Sequence, residues 1–297
     1  MGKHSPDVNR EPTQSATYLI DKHSAVLKSQ RMSTEFKPDG TRRGKPAHRR
    51  FHNKPPKAAP GTREDGNHVL YGIHTVVEAL KNPKRKFIKL VGTENGLTRL
   101  SESVELPLEA TIVKPEEIGR QLSKDAVHQG VLLIAEPLEP MSLADIPYKS
   151  LVVALDQVTD PHNVGAVLRS AAAFGVAAVI VTGRHSPEVT GVLAKAASGA
   201  LEHVPFIEVK NLAKALDTLG EQGFLRVGLD SDGDTILADV VVKRPMCLVL
   251  GAEGKGLRPV TQASCDVIAR LPMPGAIKAL NVSNAAAISL YAVTQKL

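Results

Sequence analysis

The chain has 297 residues, 42% of them apolar but only 3% aromatic and none Trp, with a formal charge of +6. That length admits one large domain or two smaller ones, with a core built from Val, Leu, Ile and Ala. No segment approaches a membrane span and the polar start carries no secretory apolar stretch, so a cytoplasmic protein without a membrane partner is expected.

The charge is uneven. Residues 1–65 hold 14 Lys and Arg against 7 Asp and Glu, so the remainder of the chain is close to neutral. This first stretch, rich in Pro, Gly, Lys, Arg and His, reads as a disordered basic tail. Its densest run is Gly40-Thr41-Arg42-Arg43-Gly44-Lys45-Pro46-Ala47-His48-Arg49-Arg50. Such a run suits a flexible arm on RNA phosphates, gaining affinity by counterion release, or a solubilising leader. A domain of about 75 residues follows, spanning 66–143. It reads as an amphipathic helix over 73–80, a strand over 87–91, a helix or loop over 96–108, a short strand over 110–113, a helix over 116–123 and a strand over 131–135. Pro137, Pro140 and Pro147 mark a linker.

The second domain, 148–297, alternates. Strands are expected at 151–155, 177–181, 204–209, 224–229, 246–250 and 267–271. Helices are expected at 163–174, 190–200, 212–219 and 282–294. This pattern predicts an α/β fold with a parallel sheet and helices on both faces. Ala171, Ala172 and Ala173 would let their helix approach the sheet. Cys247 and Cys265 sit among apolar residues and read as space-filling.

Three segments break this pattern with glycines and polar groups at strand ends. In the first, Asp160-Pro161 makes a turn and Asn163 reads as the cap of the next helix. Arg169 lies six residues on, about 240° around the helix, so the two do not share a face. A cap plus a surface arginine accounts for the spacing as well as a site does. Asp160 or His162 as a base has no partner nearby in sequence. The second segment, Leu250-Gly251-Ala252-Glu253-Gly254-Lys255-Gly256, is no phosphate-binding P-loop, because the Lys-Ser/Thr ending is absent. It reads as a strand end where backbone can touch a ligand, with Glu253 free to orient a hydroxyl or to be solvated. The third is Leu271-Pro272-Met273-Pro274-Gly275, followed by Leu280-Asn281-Val282-Ser283. Its backbone groups are candidates for reading an adenine edge. Ser283 is a plausible cap for the last helix, beside free N–H groups suited to an anion.

These motifs, in this order, resemble the SpoU branch of the knotted RNA methyltransferases, also called the TrmH-like family. The match rests on Asp160-Pro161-His162-Asn163-Val164-Gly165-Ala166 with Arg169, on Leu250-Gly251-Ala252-Glu253-Gly254, and on Leu271-Pro272-Met273 with Leu280-Asn281-Val282-Ser283. Tyr71-Gly72-Ile73-His74 and Gln129-Gly130-Val131 look like the family's small RNA-binding domain, of ribosomal-protein L30e-like type. The resemblance implies a C-terminal trefoil knot, a homodimer, no metal, and S-adenosyl-L-methionine as cofactor. It implies transfer of a methyl group to a ribose 2′-hydroxyl, with a guanosine of 23S ribosomal RNA as the expected target. A transfer RNA substrate, or a non-catalytic RNA-binding relative, are the alternatives. Carried over by position, Arg169, Asn163, Glu253 and Asn281 are the catalytic candidates. Leu250, Gly251, Leu271, Met273, Leu280, Asn281 and Ser283 are the cofactor-binding ones. Arg169 would act as a base or, more in keeping with a guanidinium, as a phosphate anchor. Tyr71, His74 and Lys89 are weaker candidates for RNA contact. The chain departs from the family at Ala279, where Ser is usual and where Lys278 or a backbone N–H would have to substitute, and at Asn284.

Overall fold

A computed structural model describes residues 66–184 and 186–297. The expected basic tail, residues 1–65, lies outside the described residues.

The chain opens with strand β1 (His68–Tyr71) and helix α1 (Ile73–Lys81). Apolar residues at helical spacing bury Ile73, Val76, Val77 and Leu80. Strand β2 (Phe87–Gly92) leads to α2 (Glu94–Ser101), whose start is capped by the Thr93 side chain accepting from the Gly96 N–H. Strand β3 (Ala110–Ile112), helix α3 (Pro115–Gly119) and strand β4 (Val131–Ala135) complete a four-stranded sheet of order β1-β4-β2-β3. Helix α3 is shorter than expected, because it stops at Gly119. The β1–β4 and β2–β4 pairs are antiparallel and β2–β3 is parallel.

The second sheet is built from β5 (Leu151–Asp156), β6 (Ala178–Thr182), β7 (Phe206–Val209), β8 (Leu225–Leu229), β9 (Thr235–Ile236), β10 (Met246–Gly251) and β11 (Val267–Arg270). Their order is β7-β6-β5-β10-β8-β11-β9, and every pair is parallel. Successive strand residues face opposite sides. Val153 and Leu155 therefore join one apolar cluster with α4 (Pro161–Ala173), α5 (Gly191–Ala197) and α8 (Val282–Thr294). Val152 and Ala154 join another, with α6 (Leu212–Glu221). The expected parallel sheet covered on both faces is thus present. Two small elements escaped the sequence pattern: β9 has two residues, and α7 (Pro259–Ala263) has five. Of the three alanines expected to approach the sheet, Ala171 is buried but Ala173 is exposed at the helix end.

The two sheets share one apolar cluster. Leu70, Ile73 and Val76 of the first part lie in the same contiguous core as Leu193 and Ala194 of α5. Both cysteines are free thiols. Burial pushes Cys247 well up, and Cys265 up to about 12, as suits packing side chains.

Candidate active site

The parallel strands β5, β10 and β8 end side by side, and their loops converge there. Helix α4 starts two residues earlier than the sequence suggested. Its cap is Asp160, whose carboxylate accepts the His162 N–H at 3.0 Å, with Pro161 at the first helical position. The expectation that Asn163 caps this helix is therefore corrected. A proline needs no N–H partner, so the helix can begin at once, and Asn163 falls inside the first turn with its amide free to point elsewhere.

That amide meets the third segment. Asn281 Nδ2 donates to Asn163 Oδ1 at 3.0 Å and to Glu253 Oε2 at 3.3 Å. Asn281 Oδ1 accepts from the Ser283 N–H at 2.9 Å and the Ser283 hydroxyl at 2.6 Å. Asn281, not Ser283, is the cap of α8, because its side chain reaches the N–H two residues on. One asparagine thus ties together residues 118 and 28 positions away in sequence.

The loop carrying Glu253 is held from three sides. Its ends cross closely: a methyl on Gly251 would stand 2.2 Å from the Gly256 carbonyl, so only glycine fits there. Asp156, fully buried at the end of β5, accepts the Arg258 N–H at 3.1 Å and its Nε at 2.8 Å. Arg258 Nη2 completes this fork at 2.7 Å. From β8, Asp230 accepts the Leu257 N–H at 3.3 Å and Gln262 Nε2 at 3.2 Å.

Beside these loops is a cavity of about 350 Å³. Five of the cofactor-binding candidates, Leu250, Gly251, Leu271, Met273 and Leu280, line it, and so does the catalytic candidate Glu253. Asn281 and Ser283 do not line it; they stand at its edge through the contact with Glu253. Sequence reasoning missed Leu229, Asp230, Ser231 and Asp232, which enter from the end of β8. Their signal was a polar turn after an apolar strand, readable only once β8 is known to neighbour β10. Ala279 also lines the cavity. Lys278 does not replace the missing hydroxyl, since its Nζ donates to the Met273 carbonyl at 2.7 Å and braces the loop instead.

Arg169 stands exposed on α4, and its side chain forms no hydrogen bond or ion pair with another of the described residues. The structure does not bring it to the Asn163–Glu253–Asn281 cluster. Helix α4 packs on α8, where Phe174 and Tyr291 meet edge to face with centroids 6.4 Å apart. Among the RNA candidates, Lys89 and His74 are exposed. Tyr71 is 4% exposed, packed beneath α5, and burial raises its phenol pKa. Tyr71 is therefore a packing residue and not a surface reader. Among the described residues no cluster of His, Cys, Asp and Glu could hold a metal ion, and no helix is long and apolar enough to cross a membrane.

The cavity suits a ligand with an apolar body and a polar end. Its walls are leucines, methionine and alanines, and its polar groups are strand-end backbone, Glu253, the Asp230–Asp232 turn, Lys255 and Lys278.

Two families match the chain: residues 150–291 match one described as the SpoU rRNA Methylase family, and residues 69–141 match one described as RNA 2′-O ribose methyltransferase substrate binding. A 23S rRNA (guanosine-2′-O-)-methyltransferase, RlmB, of Pseudomonas aeruginosa is 38% identical over 238 residues, covering 76% of this chain and 96% of the relative. The protein of the same description from Coxiella burnetii is 37% identical, with 76% and 95% covered. Among solved structures, a putative RNA methyltransferase of the TrmH family from Porphyromonas gingivalis aligns with a TM-score of 0.65 at 27% identity, covering 78% of this chain and 91% of that one. The SpoU methyltransferase AviRb from Streptomyces viridochromogenes, in complex with AdoMet, aligns at 0.66 and 25% identity, covering 78% and 91%.

Proposed function

The chain belongs to the SpoU rRNA methylase family, and from that premise we propose that it methylates the ribose 2′-hydroxyl of a guanosine in 23S ribosomal RNA, using S-adenosylmethionine. The observation that carries the site is the Asn281 side chain bridging Asn163 and Glu253 beside the cavity.

The cavity fits the cofactor. Its apolar walls suit an adenine ring, the Gly251 crossing brings backbone within reach, and its carboxylates suit the ligand's ammonium and hydroxyl groups. Bound there, S-adenosylmethionine supplies an electrophilic methyl group, so no metal is needed. Leu250, Gly251, Leu271, Met273 and Leu280 shape the pocket. Asn281 and Ser283 fix its edge. Glu253, with one carboxylate oxygen on Asn281, keeps acceptor capacity for a substrate hydroxyl. The Arg169 guanidinium has no partner among the described residues, and its planar fork of donors fits a phosphate anchor better than a base.

The finer architecture also belongs to this reading. Residues 66–143 would act as an L30e-like RNA-binding domain, and residues 148–297 as the catalytic domain, with the segment from β11 to α8 forming a trefoil knot. A homodimer is favoured by the apolar face of α8, where Ile288 and Tyr291 are 47% and 58% exposed beside α4. Such a partner would bring the Arg169 of one protomer to the other's cavity, which explains why Arg169 stands apart within one chain. A cytoplasmic place of action follows from a ribosomal substrate.

The test is methyl transfer from tritiated S-adenosylmethionine to 23S ribosomal RNA and, separately, to transfer RNA, with the product nucleoside identified by mass. 2′-O-Methylguanosine in the ribosomal RNA is expected. Incorporation into transfer RNA alone would replace the substrate, and cofactor binding without transfer to either would reduce the protein to a binding module.

A further inference from the structure

The first sheet is fastened to the second by polar groups that the cavity does not use. Arg85, in the turn between α1 and β2, is 4% exposed. Its Nη2 reaches Glu202 Oε1 at 2.6 Å and its Nε reaches Glu202 Oε2 at 3.1 Å. Its Nη1 donates to the Glu136 carbonyl at 2.8 Å, which ties down the start of the proline-rich segment. Asn82 Nδ2 adds a third donor to Glu202, at 2.8 Å. Glu202 closes the 3-10 turn Ala200–Glu202 that follows α5. The two charged side chains are 1% and 2% exposed.

Helix α5 lies between this seam and α4. On one side a methyl on Gly191 would come within 2.8 Å of the Tyr71 ring and the Val69 carbonyl. On the other, a methyl on Gly165 of α4 would come within 2.5 Å of Ala196. At the open edge of the seam Lys195 Nζ donates to Gln129 Oε1 at 2.8 Å, and that oxygen also accepts the Ile73 N–H at 3.1 Å. The contact therefore runs from β1 and α1, through α5, to the helix that bears Asn163 and Arg169.

Cohesion here does not need an ion pair. The sheets already share an apolar core, and a buried pair replaced by apolar residues of similar size is often no less stable. Apolar contact is non-directional and tolerates sliding. A bidentate guanidinium–carboxylate fork does not, because its donors point along fixed lines.

We propose that Arg85 and Glu202 are positioning residues for methyl transfer, which hold the small sheet at one fixed distance and angle from the Asn163–Glu253–Asn281 cluster. This rests on the reaction assigned above: RNA held by the small sheet is presented at a set reach, and a loose seam leaves it bound but misplaced. Misplacement of about 1 Å costs roughly 100-fold in rate.

The test compares the full chain with Arg85→Leu/Glu202→Leu, which removes both charges together. Dyes on Glu105→Cys and Glu221→Cys, exposed positions on the two parts, report their separation by single-molecule energy transfer. The unaltered seam should give one narrow distance, and the double variant a broad one. Its kcat on RNA should fall roughly 100-fold, while the Kd values for RNA and S-adenosylmethionine stay within about threefold. An unchanged kcat overturns the proposal. So does a parallel loss of cofactor binding, which would make the pair a folding contact only. If the unaltered seam transfers no methyl group, the assigned reaction fails, and the mount is then judged on distance alone. A narrow peak that broadens in the double variant upholds it, and a peak already broad overturns it.

Discussion

The cavity's edge and the seam between the sheets both gather charged and amide side chains, but they treat them differently. At the seam every strong group is spent: Arg85 makes four side-chain hydrogen bonds, to Glu202 twice, to the Glu136 carbonyl and to His68 Nδ1, and Glu202 accepts from Arg85 and Asn82. At the edge, Glu253 has a single side-chain partner, and on neighbouring α4 Arg169 has none among the described residues. Satisfied networks fix structure, whereas spare donors and acceptors await a ligand.

The contrast breaks most visibly at Arg169. If the spare guanidinium serves the reaction, Arg169→Ala should lower methyl transfer by about 1,000-fold, or about 4 kcal/mol of transition-state stabilisation. Melting temperature and cofactor Kd should hold. Full activity in a tritium assay would place Arg169 on an idle surface. The seam should respond in the opposite way. Arg85→Leu alone leaves a buried carboxylate without its counter-charge, and the expected loss is about 3 to 5 kcal/mol in urea unfolding. A loss below about 1 kcal/mol would mean that water reaches Glu202.

His68 sharpens the same point. Burial lowers its pKa to about 4, with the Arg85 charge adding to this and Glu202 opposing it. The folded state therefore prefers the neutral ring. That preference contributes fully above the unfolded value near 6.5 and is lost as pH falls toward 4, by up to about 3 kcal/mol. Melting temperature should drop between pH 7 and pH 4.5, and His68→Gln should flatten that part of the curve. The smallest effect belongs to Arg226, which forks onto Asp266 where both side chains reach water. Arg226→Ala should cost no more than about 1 kcal/mol at low salt, and an effect the size of Arg85→Leu would erase the distinction between buried and open pairs.

What could be read in the sequence followed local rules. Strand β4 and helix α8 fall where their apolar runs and flanking turns placed them, and Leu250, Leu271, Leu280 and Met273, cofactor candidates by resemblance of their motifs, line the cavity. Caps were misassigned by two or three residues, since Asp160 competes with Asn163, and Asn281 with Ser283, for similar N–H groups. The turn at Asp230 was missed because strand order, not strand content, carries it to the cavity. Arg85 and Glu202, 117 residues apart, leave no periodic mark at all. Tyr71, a weaker candidate for RNA contact, is hidden by that same unannounced seam.

Gly191 and Glu202 also bear on how such a chain could be re-engineered for new targets. A chimera joined within the prolines near 137–147 would look modular, yet it would separate Tyr71 and Arg85 from the helix shaped to receive them. A transplant of residues 66–136 should therefore carry 190–203 along, so that donor surface and recipient groove remain a matched set.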